Sequence, residues 1–146
     1  MRVYLDNCCY NRPYDDQTQL RISLETQAKL YVQTQIKNNT IELATSYILL
    51  YENSENPYEM RKKSILEFVQ SNSRVHIDYD RSDEVALKAQ EIMATGVKTK
   101  DAYHVACAIL SSCDYFLTTD KRLLKYQTSE ITMMNPIDFI EELEVL

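Results

Sequence analysis

Only one glycine and three prolines punctuate the 146 residues. With so few chain breakers, no low-complexity stretch and no repeat at a solenoid period, there is no room for a linker, and one domain over 1–146 is expected. A C-x-x-C pair is also missing. The cysteines fall at Cys8, Cys9, Cys107 and Cys113, and adjacent residues such as Cys8 and Cys9 rarely bridge each other, so reduced thiols are expected rather than a disulfide framework. No apolar run reaches membrane-spanning length, and "MRVYLD" reads as a strand rather than a secretory leader. These features lead to the expectation of a cytoplasmic protein with no membrane partner. Positive charge is scarce too. Lys and Arg number 16 against 22 Asp and Glu, a formal net charge of −6, which argues against a generally basic nucleic-acid coat. Local patches remain at Arg61–Lys63, at Lys98 and Lys100, and at Lys121 and Arg122.

What is present is ordinary globular content, 45% hydrophobic and 26% charged. A chain of this length buries roughly 70% of its unfolded surface and needs no staple to hold together. Short runs rich in Val, Ile, Tyr and Thr predict strands at Arg2–Leu5, Thr40–Leu43, Arg74–Tyr79, Tyr115–Thr119 and Glu130–Met134. Between them lie helical segments. Leu20, Leu24, Ala28, Tyr31 and Val32 recur at three-and-four spacing within Thr18–Lys37 and predict a buried stripe. Asn56 and Pro57 suit the cap and first position of a second helix with Ile65, Phe68 and Val69 inward. Ser82 and Asp83 open a third helix that Gly96 can end, Thr99 opens a fourth, and "NPIDFIEELEVL" repeats the Asn-Pro opening. Strands alternating with helices of this length imply parallel pairing by crossover, hence a three-layer α/β/α sandwich. Ligands in such sheets sit outside the carboxyl ends of the strands, where strand order reverses.

Four acids fall where that geometry gathers side chains. Asp6 ends the first strand, Asp120 follows the fourth in "YFLTTDKRLL", Asp101 lies in the first turn of "TKDAYHVACAI", and Glu52 follows the second strand by a short helical stretch. Singly, each has a plain explanation as a cap, a turn former or solvated surface. Together they do not. Two carboxylates about 4 Å apart repel by roughly 4 kcal/mol at an effective dielectric of about 20, so a cluster calls for protons or a cation. Oxygen donors without histidine or cysteine suit Mg²⁺ or Mn²⁺ better than Zn²⁺.

These strings resemble the PIN-domain nucleases, including the VapC-like toxin ribonucleases of toxin–antitoxin pairs. "VYLDNCCYNRP" is similar to the family's first-strand aspartate motif, "SYILLYE" to its glutamate segment, "TKDAYHVACAIL" to its helix-opening aspartate, "YFLTTDKRLLK" to its T-x-D motif, and "ITMMNPIDFI" to its closing strand and helix. The resemblance implies a five-stranded parallel sheet in the order 3-2-1-4-5, with Asp6 and Asp120 flanking the switch point. It implies Asp6, Glu52, Asp101 and Asp120 as ligands of Mg²⁺ or Mn²⁺, with Asn7 and Thr118 in support. Glu55 and Glu59 lie close enough to exchange roles with Glu52. It also implies an antitoxin partner and a homodimer.

The expected chemistry is metal-dependent hydrolysis of an RNA phosphodiester, with Lys98, Lys100, Lys121 and Arg122 attracting the substrate. Two other readings stay open: a PIN-like RNA- or protein-binding module without turnover, and a metal-dependent phosphohydrolase of small phosphate esters. Tyr10 and Tyr14 could stack on bases, though packing is the plainer reading. Cys8 and Cys9 have no histidine near them in sequence and read as packing thiols, as do Cys107 and Cys113. His104, three residues after Asp101, reads as structural at the border of the site, and His76 has no evident partner.

Overall fold

Val3, Tyr4 and Leu5 are all buried, so the first strand has no solvent face. A strand apolar on both sides belongs inside a sheet covered by helices above and below. The computed structural model describes residues 1–145, and in it β1 (Arg2–Leu5) is the central strand. Around it lie β2 (Glu42–Ser46), β3 (Ser73–Ile77), β4 (Tyr115–Leu117) and β5 (Thr132–Met134), all parallel and ordered β3-β2-β1-β4-β5. This is the expected order.

The helices are α1 (Asn7–Asn11), α2 (Leu20–Lys37), α3 (Tyr47–Ser54), α4 (Glu59–Asn72), α5 (Ser82–Met93), α6 (Thr99–Leu110) and α7 (Pro136–Val145). Alternation along the strands divides the core. Val3, Leu5, Leu43 and Leu117 meet Val32 and Ile36 of α2, Ile65 and Val69 of α4, and Phe139 of α7. Tyr4, Ala44, Ile77 and Phe116 turn the other way, onto Val85, Ala89 and Ile92 of α5 and Val105 and Ala106 of α6. No helix among the described residues is long and apolar enough to cross a membrane.

The chain winds from β1 to β2 and β3, then crosses back to place β4 on the other side of β1. The reversal falls between β1 and β4, where Leu5 pairs with Leu117. Their carboxyl ends form the crevice that a parallel sheet leaves for a ligand.

Three local expectations need correction. In α2, Leu20, Leu24 and Tyr31 are exposed, at 73%, 44% and 49%. The inward face carries Glu25, Ala28, Lys29, Val32 and Ile36, which have an equally helical spacing one residue further round. Glu25 can turn inward because two cations and one hydrogen-bond donor meet it there. Its oxygens lie 3.1 Å from Arg12 Nε and 3.4 Å from Arg21 Nε, and accept from Asn135 Nδ2 at 2.6 Å. The second strand starts at Glu42 rather than Thr40, because the N–H groups of Thr40 and Ile41 close α2 by donating to Gln35 O. The Asn56-Pro57 pair does not open α4. Asn56 Oδ1 accepts from Tyr58 N in a turn, and the helix begins at Glu59.

Candidate active site

Asp6 leaves the sheet at the reversal point. Its N–H still donates to Leu117 O across β4, at 2.9 Å, so the strand pairing fixes its backbone. The side chain, 6% exposed, is held by neutral donors: Asn7 N at 2.8 Å on Oδ1 and the Thr118 hydroxyl at 2.8 Å on Oδ2. Thr118 in turn accepts from Asp120 N at 3.1 Å, which ties the two aspartate loops together. Asn7 faces the same cavity, and its side-chain oxygen accepts from Asn11 Nδ2.

Glu52 comes from the last turns of α3, which Ser46 caps by accepting from Leu49 N. Glu52 Oε1 lies 3.0 Å from His104 Nε2, and Oε2 lies 3.3 Å from Lys100 Nζ. The other nitrogen of His104, Nδ1, is 2.7 Å from the Tyr4 hydroxyl, and that hydroxyl is 2.7 Å from Ser46 Oγ. A carboxylate only accepts, so Nε2 carries a hydrogen toward Glu52, while Nδ1 and the Tyr4 hydroxyl share a second one. The Ser46 and Tyr4 hydroxyls share the last bond, so a continuous chain of hydrogen bonds runs from Ser46 to Glu52. Burial works against charge on Glu52, but His104 and Lys100 more than offset it and hold the carboxyl below its ordinary range.

Asp101 sits in the first turn of α6. Although a helix N-terminus favours an anion, its carboxyl is pushed up, first by burial and then by the charges of Asp6, Asp120 and Glu52, with His104 pulling the other way. The four acids therefore act on one another through a shared space. Asp6, Glu52, Asp101 and Asp120 line one open cavity of about 380 Å³. Asp120 also serves as a turn former, its Oδ1 accepting from Arg122 N and Leu123 N. Glu55 and Glu59 are exposed and do not line the cavity.

The donor set fits a hard divalent cation. Four carboxylates facing one cavity repel, as the raised Asp101 carboxyl records, and oxygen donors are what Mg²⁺ and Mn²⁺ take. Among the described residues, however, no three His, Cys, Asp or Glu side chains converge closely enough to ligate one ion directly. The tight cluster expected from the sequence is instead an open ring, which suits an ion that retains several waters.

Other sequence candidates separate clearly. Lys98 and Arg122 line a neighbouring cavity, Lys100 is the partner of Glu52, and Lys121 is exposed and lines neither. His104, read as structural, is a link to Glu52; its spacing of three from Asp101 was the available signal. Cys8, read as packing, faces the acid cavity with Sγ 3.5 Å from Asp6 Oδ2, whereas Cys9 is buried and donates to Leu117 O. Burial pushes the thiols of Cys107 and Cys113 up to about 12. Tyr10 is 1% exposed and has no face for a base. Tyr14 is exposed and stacks on Arg61, which also covers Tyr58. His76 does have a partner, Thr45 Oγ1 at 2.7 Å.

A PIN-domain profile matches residues 20–128, well over half of the chain. That span contains Glu52, Asp101 and Asp120 and leaves Asp6 outside it. The fold is similar to a chain in the crystal structure of VapBC2 from Rickettsia felis bound to a DNA fragment from their promoter, at 16% identity and a TM-score of 0.55, covering 92% of this chain and 98% of that one. No curated protein matches. The extent of the profile match, on a sheet of this order, establishes that the chain belongs to the PIN-domain nuclease family.

Proposed function

We propose that this protein is a Mg²⁺- or Mn²⁺-dependent endoribonuclease and the toxin of a toxin–antitoxin pair. The observation that carries the reading is the convergence of Asp6, Glu52, Asp101 and Asp120 on one cavity at the sheet's reversal point. When bound there, a divalent cation supplies a lowered pKa for the attacking water and neutralises charge on the phosphate. The chain's own residues do the rest. Thr118 and the Asn7 amide fix the Asp6 carboxylate, the Asp120 turn fixes the second aspartate, and His104 orients Glu52. Held carboxylates need little reorganisation when a charged substrate arrives.

An antitoxin partner fits the VapBC2 likeness, and a homodimer fits the exposed apolar residues Leu20, Leu24 and Tyr31 on α2. The test is cleavage of single-stranded RNA by the purified protein with Mg²⁺ or Mn²⁺, beside a generic phosphomonoester. We expect cleavage of RNA alone, and loss of that cleavage in Asp6→Asn with the unfolding midpoint unchanged. Near wild-type Mg²⁺-dependent turnover in that variant refutes the site. Phosphomonoester turnover without RNA cleavage refutes the substrate class.

A further inference from the structure

A second cavity, of about 340 Å³, adjoins the acid cavity, and Asp101 belongs to both. Two loops build it: the α5–α6 connection and the segment after β4. Gly96 turns the first loop at φ +103°, a conformation that L side chains rarely adopt, and a Cβ added there would meet no atom within 4 Å. Lys98, Arg122 and Lys125 bring three positive charges to this wall against the single negative charge of Asp101. None of the three cations pairs with a carboxylate among the described residues. On a chain of net charge −6, three unpaired cations beside a carboxylate cavity are a local reversal of field, which draws in an anion.

The rest of the lining is not that of a bare anion site. Val97 and Leu123 give an apolar floor, Tyr126 contributes a half-buried ring, and Gln127 adds an amide with both donor and acceptor. The volume falls at the lower end of the roughly 300–1,000 Å³ of small-molecule sites. Phosphate for the cations, a planar ring for Tyr126 and a polar edge for Gln127 are together the parts of one nucleotide. The geometry points to a nucleotide-binding subsite here, holding the residue of the RNA strand next to the scissile phosphate, and in this role it rests on the nuclease reading. Asp101 is the shared wall between holding and cutting.

The subsite is tested on the full-length protein without added metal, so that binding is read apart from cleavage. A nucleoside 5′-monophosphate, inorganic phosphate and a single-stranded oligonucleotide are titrated against the wild type, Lys98→Ala/Lys125→Ala, and the control Arg81→Ala, a surface cation paired with Glu84 and outside both cavities. We expect the double variant to lose at least about tenfold in oligonucleotide affinity and to lower the salt slope by about 1.4, the share of two phosphate contacts on a single strand. With metal, its KM for RNA rises by a similar factor while kcat at saturation holds. The control behaves as wild type. Wild-type binding by the double variant overturns the subsite, as does an equal loss in Arg81→Ala or inorganic phosphate competing as well as the nucleotide. If the wild type cleaves no RNA but its nucleotide binding depends on Lys98 and Lys125, the nuclease reading fails and the nucleotide site stands.

Discussion

On the α5–α6 face of the sheet, the buried Ser46, Tyr4 and His104 run in one hydrogen-bonded line that ends on Glu52. On the α2–α7 face, Glu25 and Lys29 bring full charges below the surface. Glu25 is matched by Arg12, Arg21 and Asn135. Lys29 has no carboxylate at all among the described residues: its ammonium donates to Gln33 and rests against the rings of Tyr10 and Phe68. One face thus delivers a positioned carboxylate to the cavity, while the other locks helices and loops around it. Arg12 joins these roles, since it also pairs at 2.9 Å with Asp15, on the cavity rim. The contrast teaches that burial of a polar group near an active site does not by itself identify its task; the end of its hydrogen-bond chain does.

Four substitutions break or sharpen this contrast. The largest effect is expected from Glu25→Ala, which leaves Asn135 Nδ2 without its acceptor and Arg12 with Asp15 as its remaining partner. A loss of about 3 to 5 kcal/mol in denaturant unfolding is expected, with a loss near zero showing that the charges do not lock that face. Lys29→Met should move stability the other way. Burial lowers the ammonium to about 8, which corresponds to roughly 3 kcal/mol against the charged form, and the ring contacts return about 1 kcal/mol. A gain of about 2 kcal/mol at pH 7 is expected. The sign follows from proton binding: below pH 8 the lysine is charged folded or unfolded and its cost is full. Between about 8 and 10.4 the folded state sheds its proton first, so the wild type recovers. Unfolding curves for both proteins across that window should converge; a constant gap refutes the assignment.

On the other face, stability should move less than function. His104→Leu keeps an apolar body on α6 but removes the donor to Glu52, and a 10- to 100-fold rise in the Mn²⁺ concentration needed for cleavage is expected, roughly the cost of losing a ligand's supporting hydrogen bond. An unchanged metal requirement would reduce His104 to packing. Tyr4→Phe, the mildest change, leaves His104 Nδ1 without its hydrogen-bond partner. It should lower stability by about 1 kcal/mol and raise the metal requirement by less than His104→Leu does.

Legibility in the sequence followed the range of the interactions. The alternation of strands and helices and the segments carrying Asp6, Asp101 and Asp120 could be read because these acids follow a strand or open a helix, which are local marks, while the strand order came from the family resemblance. The inward face of α2 could not. Leu20 and Leu24 advertise one stripe, and Glu25 and Lys29 look like its solvent side until Arg12, Asn135, Tyr10 and Phe68 arrive from elsewhere in the chain. His104 poses the same problem at greater distance, since its partners are Tyr4 and Glu52, 100 and 52 residues away. The basic cavity was half visible: Lys98 and Arg122 stood out as charges, but Lys125 and Tyr126 join them only because the loop after β4 folds against the α5–α6 turn.

The bond from Thr118 to Asp6 spans 112 positions of the chain. A ribosome making this protein therefore exposes Asp6, Glu52 and Asp101 well before the partner that steadies the first of them. Until β4 slides in beside β1, the nascent polypeptide carries its acids without a place to use them. The acid cavity is thus completed late, once the fourth strand has docked against the first.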